Sequence, residues 1–551
     1  MTEKCISNAE SWAVLVFAMA AATAAIVWSW RNGAMLNYGD AVAHLHIARR
    51  VFDSRLPRLT ELGSVWLPLP HILLIPFVQR YDWWANGLAA VIPSSLAFIA
   101  SCAGIYRLAR HWLTPAAAAL ALVFFALNPN LLYMQTTAMT EPLFLCETIW
   151  IVVWLVEWRL CVDDDPKQAS RTQCLIAAML VAAVFTRYDG WIMAFIAWTS
   201  IGVALLRRRR LNSLSFWLAS VAVVAAPIAW FVYNAVGFGD WLYFSRGPYS
   251  AKAIEARTAT SGGGPPHPGW HNLWVALLFY VKSAELDAVA APGWKSALGN
   301  ISLALAALGT AIAGLREKLT RRALGWVGLF WLPVPFYAYS VAYGSIPIFF
   351  PAWWPFTWYN TRYGLELLPA LALGLGFAAQ LAATAVDRIP SQRLSIYLPP
   401  AVYALCFVLA GFNVNALLRQ EPVVYTESTK NADARLSYDE EIPPLLRGLL
   451  GSNRHATILM NTSMYPEIVA YTGIPLRQTV NESDLAIWQA ALTAPAQHAA
   501  IVVAFEGDDV DKAVKAHPLD LVVAARFTAK DQPAATIYLS GQWAYRNQKL
   551  R

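Results

Sequence analysis

The feature that most constrains this 551-residue chain is a series of long apolar runs separated by short basic clusters. A helix needs about 20 mostly apolar residues to cross a bilayer. Such runs recur at roughly 12–30, 84–106, 114–133, 142–158, 173–186, 191–206, 214–233, 297–315, 323–342, 364–386 and 394–414. Composition agrees: the chain is 57% hydrophobic and 14% charged, against about 25% charged in ordinary soluble domains. A water-surrounded core could not hold so much apolar sequence. The expected fold is therefore a polytopic α-helical membrane protein of about eleven spans.

The basic clusters give that series a direction. Arg107 and Arg110 follow the second run, and Arg159, Lys167 and Arg171 the fourth. Arg207 to Arg210 follow the sixth, Arg316, Lys318, Arg321 and Arg322 the eighth, and Arg388 and Arg393 the tenth. All fall on one side if the N-terminus is cytoplasmic, as the positive-inside rule requires. The net charge of +7 thus marks cytoplasmic loops, and no nucleic-acid partner is expected. Gln173 to Leu206 is short for two spans, but a single span would put the four arginines outside. A hairpin with Arg187 and Asp189 near its outer tip is expected instead. The first run has a weak basic flank (Lys4) and reads as an uncleaved span, not a cleaved signal. The localisation that follows is a multi-pass integral membrane protein with a cytoplasmic N-terminus and an extracytoplasmic C-terminal segment. "WLPLPHILLIPF", Trp66 to Phe77, is short and proline-rich, and reads as an interfacial or re-entrant piece.

Residues 1–414 form the expected membrane domain, with outer loops at 31–83 and 234–296. From 415 to 551 the sequence is mixed and charged. Short apolar runs at 457–460, 500–505, 521–526 and 535–539 look like strands, so an extracytoplasmic α/β domain is expected. Thr260 to Trp270, rich in Gly and Pro, reads as a flexible loop. The six cysteines make no CxxC pair, and neither a zinc site nor a disulfide framework is read from them. The 25 Trp suit both membrane interfaces and sugar faces, so they decide nothing.

Sorting polar residues by side gathers candidates on the outer face. "NYGDAVAHLHIARR", Asn37 to Arg50, supplies Asp40, His44, His46, Arg49 and Arg50. Asp40 reads either as a helix N-cap or as a general base. His44 lies one helical turn on and shares its face; His46 points elsewhere. Glu141 in "TTAMTEPLF" opens a span on the same side, where a carboxylate meets the helix dipole. Arg187, Tyr188 and Asp189 sit at the hairpin tip, as an ion pair holding a bend or as a phosphate or sugar contact. Arg362, followed by Tyr363 in "WYNTRYGLELLP", is the best anion-binding candidate, since a guanidinium forks onto phosphate oxygens. His267 and His271 are read as surface residues of a loop. A divalent metal held by Asp40, His44, His71 or Glu141 is the disfavoured option, because no ligand motif supports it.

These motifs, in this order, resemble the GT-C superfamily of integral-membrane glycosyltransferases, which includes protein O-mannosyltransferases and lipid A aminoarabinose transferases. The resemblance runs through "YGDAVAHLHIARRVFDS", "SVWLPLPHILLIPF", "MTEPLF", "TRYDGW" and "NTRYGLELLPALALG", and covers most of residues 10–415. It implies a polyprenyl-phosphate-sugar donor, and a glycan, lipid or protein acceptor beside the membrane lipids. It implies Asp40 as base, Arg362 on the leaving phosphate and Glu141 orienting substrate or acceptor. Arg187, Asp189, Tyr363, His44 and Arg49 are the further substrate-binding candidates. Many relatives carry a second acid after the first; here Ala41 follows Asp40, which weakens any implied metal dependence. Two alternatives stand beside this reading: a lipid-pyrophosphate oligosaccharyltransferase or ligase, and a transporter or flippase for lipid-linked sugars.

Overall fold

The computed structural model describes residues 6–211, 213–259, 265–290, 296–317, 323–388, 392–451, 456–463, 465–529, 532–541 and 543. Among these, nine helical stretches are long and apolar enough to cross a membrane. They begin with Asn8–Arg31 and Leu88–Arg110 and include the pair Pro166–Thr186 and Asp189–Arg207. That pair is the expected hairpin, with Arg187 and Tyr188 alone between its helices. Two of the eleven expected spans are built differently. The run 114–133 divides into Pro115–Ala126 and Pro129–Met134. Asn128 makes the division by accepting a hydrogen bond from the Leu131 amide, and Pro129 starts the next helix where no N–H is needed. The run 142–158 is one helix, Glu141–Cys161, but it is mostly buried and carries Glu141, Glu147, Glu157 and Arg159. The segment from Trp66 forms only the ten-residue helix Leu69–Val78, too short to span. Thr260 to Gly264 of the expected flexible loop, and Lys318, Arg321 and Arg322, lie outside the described residues.

Contacts gather the chain into two compact units, and they are not separated by a single cut near 414. One comprises Met1–Ser29, Ser64–Pro70 and Pro93–Glu427; the other comprises Trp30–Gly63, His71–Ile92 and Ser428–Arg551. Among the described residues, the regular elements of the first are helices. Its helix Leu214–Phe238 exposes Leu214, Leu218, Val221, Val224, Val232 and Val236. In water such a face would be an aggregation surface; against lipid it is what a spanning helix requires.

The second unit groups Trp30–Gly63 and His71–Ile92 with the C-terminal segment. Its five-stranded sheet runs β2 (Thr479–Val480), β1 (Ile458–Met460), β3 (Ile501–Phe505), β5 (Ala535–Ser540), β4 (Leu521–Phe527). β1 pairs in parallel with β2 and β3, while β5 runs antiparallel to β3 and β4. Every residue of the central strand β3 is buried, hence its unbroken apolar run. Leu459, Val480, Val502, Trp488, Val510 and Val514 form the core between the sheet and its helices. Four of these strands match the expected runs. The fifth, β2, has only two residues, too few to show alternation.

Candidate functional site

In the first unit, five residues expected at the site lie in one buried network. Glu141 is the first residue of its helix, and Arg187 leaves the end of Pro166–Thr186 in extended conformation. Arg187 donates through Nη1 to Thr140 Oγ1 at 2.9 Å and to Glu141 Oε1 at 3.3 Å. Its Nη2 donates to Tyr337 Oη at 2.6 Å and lies 3.0 Å from Glu366 Oε1. Its Nε reaches Asp189 Oδ2 at 3.4 Å, and Tyr337 Oη donates to Glu366 Oε1 at 2.6 Å. Arg362 donates through Nε to the same Glu141 oxygen at 3.1 Å and through Nη1 to Glu427 Oε1 at 3.5 Å. The Tyr363 ring lies 5.1 Å from both guanidinium carbons, a cation–π distance, and stacks on Tyr337.

The backbone around Arg362 is fixed from below. Asn360 takes a left-handed conformation (φ 56°) before the 3₁₀ turn Thr361–Leu367, a conformation asparagine tolerates better than most residues. The amides of Asn360 and Thr361 donate to the two oxygens of Glu427, each at 2.8 Å. A carboxylate there satisfies amides at the start of the turn and meets its dipole. Asp287 packs beside this turn with both carboxylate oxygens buried. Burial, then the charge of Glu427, pushes its carboxyl well above the usual range.

Four carboxylates (Glu141, Asp189, Glu366 and Glu427) thus face two guanidiniums. Such an excess of acceptors is best matched by donors: protons, or the hydroxyls of a sugar. An arriving phosphate would compete with Glu141 for both arginines. A cavity of about 20 Å³ borders Asp189 and Glu366 and is otherwise lined mainly by apolar residues such as Phe144, Met193, Phe330 and Phe336. Glu366, Tyr337, Glu427 and Asp287 were not singled out by sequence. Glu366 had a signal, standing one turn beyond Arg362. Glu427 had none, since it lies past the apparent end of the membrane domain.

The remaining candidates belong to the second unit. The N-cap of Gly39–Asp53 is Tyr38, without a side-chain cap, so Asp40 is not the cap but the second residue of the helix. It is partly exposed there. His44 is buried, with Nδ1 2.7 Å from Nε2 of His71, so one ring must donate and the other accept. Burial, then His44 and Arg50, holds His71 well below the usual histidine range. His46 Nδ1 is 3.0 Å from the Val42 carbonyl, and burial lowers its pKa to about 3. Arg49 is buried; it donates to Asp53 Oδ2 and to the Val78 carbonyl, each at 2.8 Å. Its guanidinium carbon lies 4.7 Å from the Trp84 ring. Those contacts account for Arg49 as an anchor of its own helix. Among the described residues, no three His, Cys, Asp or Glu side chains are grouped to hold a metal ion. In the first unit, His267 is buried against Glu255 at 2.9 Å, not on the surface as expected, while His271 is exposed.

No protein-family model matches the chain, and no curated protein matches it by sequence. Solved structures do. ArnT from Cupriavidus metallidurans, solved bound to undecaprenyl phosphate, aligns over 94% of this chain and 97% of its own, at 13% identity and a TM-score of 0.55. An oligosaccharyltransferase from Archaeoglobus fulgidus, tethered to an acceptor peptide, aligns over 98% of this chain and 75% of its own, at 12% identity and a TM-score of 0.44, too low to bear on the fold. At such identities the first likeness speaks for architecture alone: the chain is a multi-pass membrane protein with a GT-C-type fold.

Proposed function

We propose that the chain is a membrane glycosyltransferase. It moves a sugar from a polyprenyl-phosphate donor to an acceptor hydroxyl on the extracytoplasmic side, with inversion at the anomeric carbon. The observation that carries this reading is the sharing of one Glu141 oxygen by Arg187 and Arg362, 3.3 and 3.1 Å away, on a fold it shares with a protein solved with undecaprenyl phosphate.

The donor brings its own leaving group. Asp40 takes the proton from the acceptor hydroxyl as the oxygen attacks the anomeric carbon, and the bond from that carbon to the phosphate oxygen breaks. Positive charge grows on the sugar ring, and negative charge returns to the phosphate. Arg362 and Arg187 meet that charge once the phosphate has displaced Glu141. Asp189 and Glu366 accept hydrogen bonds from the sugar. A single displacement inverts the centre, and no step needs a metal.

The test is to incubate purified protein with a panel of polyprenyl-phosphate-linked hexoses and pentoses and an envelope extract as acceptor. Release of the polyprenyl phosphate, with an inverted linkage by NMR and full activity in chelator, is expected. Movement of the intact lipid-linked sugar across vesicles without any transfer product would instead make the chain a transporter.

A further inference from the structure

The helix Gly39–Asp53 is held at both ends by the C-terminal segment of its own unit. At its start, Arg435 of the helix Val423–Leu450 aims Nη2 at the carbonyls of Leu36 and Asn37, at 3.4 and 3.2 Å. These are the last carbonyls before the turn into the helix. Arg435 Nε lies 2.7 Å from Oε1 of Glu467, and both side chains are buried. The fit is close: a Cβ on Gly39 would stand 2.8 Å from Arg435 Nη1. At the other end, Asp53 accepts from Arg477 Nη1 at 3.1 Å and from the Leu476 amide at 3.4 Å.

A guanidinium is the wrong charge for the first turn of a helix, whose dipole is positive there. Helix stabilisation therefore does not explain Arg435. What its contacts do fix is the path of Leu36 to Gly39, and with it the position of the next residue, Asp40. We propose that Arg435, steered by Glu467, is a positioning residue for Asp40, so that the C-terminal segment sets the geometry of proton removal. This rests on the reading of Asp40 as base.

The experiment compares full-length wild type with Arg435→Gln, Arg435→Lys, Gly39→Ala and Asp40→Asn, measuring turnover of a polyprenyl-phosphate sugar and thermal stability. Arg435→Gln should lower kcat by about 10- to 100-fold, the scale of a small misplacement of a reacting group, with the donor KM within about twofold. Arg435→Lys should recover part of that loss. Gly39→Ala, which only pushes the guanidinium aside, should lower kcat with little change in melting temperature. If Arg435→Gln does not fold, the lysine and alanine variants carry the test. Wild-type kcat in Gly39→Ala and Arg435→Lys, with Asp40→Asn inactive, would overturn the positioning role and leave the base intact. Losses of kcat that merely follow falling melting temperature would overturn it too. Full activity in Asp40→Asn would remove the base and this proposal together.

Discussion

Glu141 offers one carboxylate oxygen to both Arg187 and Arg362, while its other oxygen is buried with no hydrogen-bond partner among the described residues. Glu141→Gln keeps the shape and removes the charge, leaving two guanidiniums less well neutralised. The variant should lose about 1–3 kcal/mol of stability, and polyprenyl phosphate should raise its melting temperature more than that of wild type. An equal rise in both would mean that phosphate does not compete with Glu141. His46 makes a second prediction. Its folded pKa, about 3, lies below the 6.5 of the free side chain. The unfolded chain therefore binds more protons between these values, and stability present above pH 6.5 is lost as pH falls. Melting temperature should drop between pH 7 and 5, and less steeply in His46→Asn; an unchanged slope would contradict this. Arg187, Asp189, Arg362 and Glu141 were legible because each interrupts or opens an apolar run. Tyr337 was not, since a tyrosine inside an apolar run reads as core until its hydroxyl is seen between Arg187 and Glu366.

The 3₁₀ turn Thr361–Leu367 packs so closely on the helix Leu273–Ala288 that Gly364 has no room for a side chain. A Cβ there would lie 2.6 Å from the Ala284 amide nitrogen and from Asp287 Oδ2. Gly364→Ala should therefore cost about 1–3 kcal/mol or more, and transfer activity should fall with it, because the turn carries Arg362. An alanine variant with wild-type stability and rate would show that the turn is free to shift. The hairpin Pro166–Thr186 and Asp189–Arg207 was legible because, with the N-terminus expected to be cytoplasmic, the positive-inside rule asks for an even number of crossings before Arg207 to Arg210. The break within 114–133 was marked by Asn128–Pro129 but hidden by the hydrophobicity of the whole run. In sequence the helix Val423–Leu450 looks like part of a mixed domain, because its apolar and charged residues alternate without a spanning run.

For the whole molecule, the pattern of apolar runs was enough to reach a multi-pass helical protein, and the motif resemblance was needed for the GT-C type, since identity to ArnT is only 13%. Lipid asks little of a helix surface beyond being apolar, so one helical architecture tolerates very different sequences. What sequence could not supply was the grouping of Trp30–Gly63 with the C-terminal segment, which depends on contacts more than 350 residues apart such as Arg435 to Leu36. The orientation is testable. A membrane-impermeant thiol reagent should label Lys512→Cys in intact cells and Arg207→Cys only after permeabilisation; the reverse would turn the protein over and remove the extracytoplasmic site. The most direct measurement of the central claim is single-turnover release of polyprenyl phosphate from a bound polyprenyl-phosphate sugar by wild type and Asp40→Asn. The account predicts that the variant binds donor normally yet releases it about 10²- to 10⁴-fold more slowly, the usual worth of a general base. Release at the wild-type rate would contradict it.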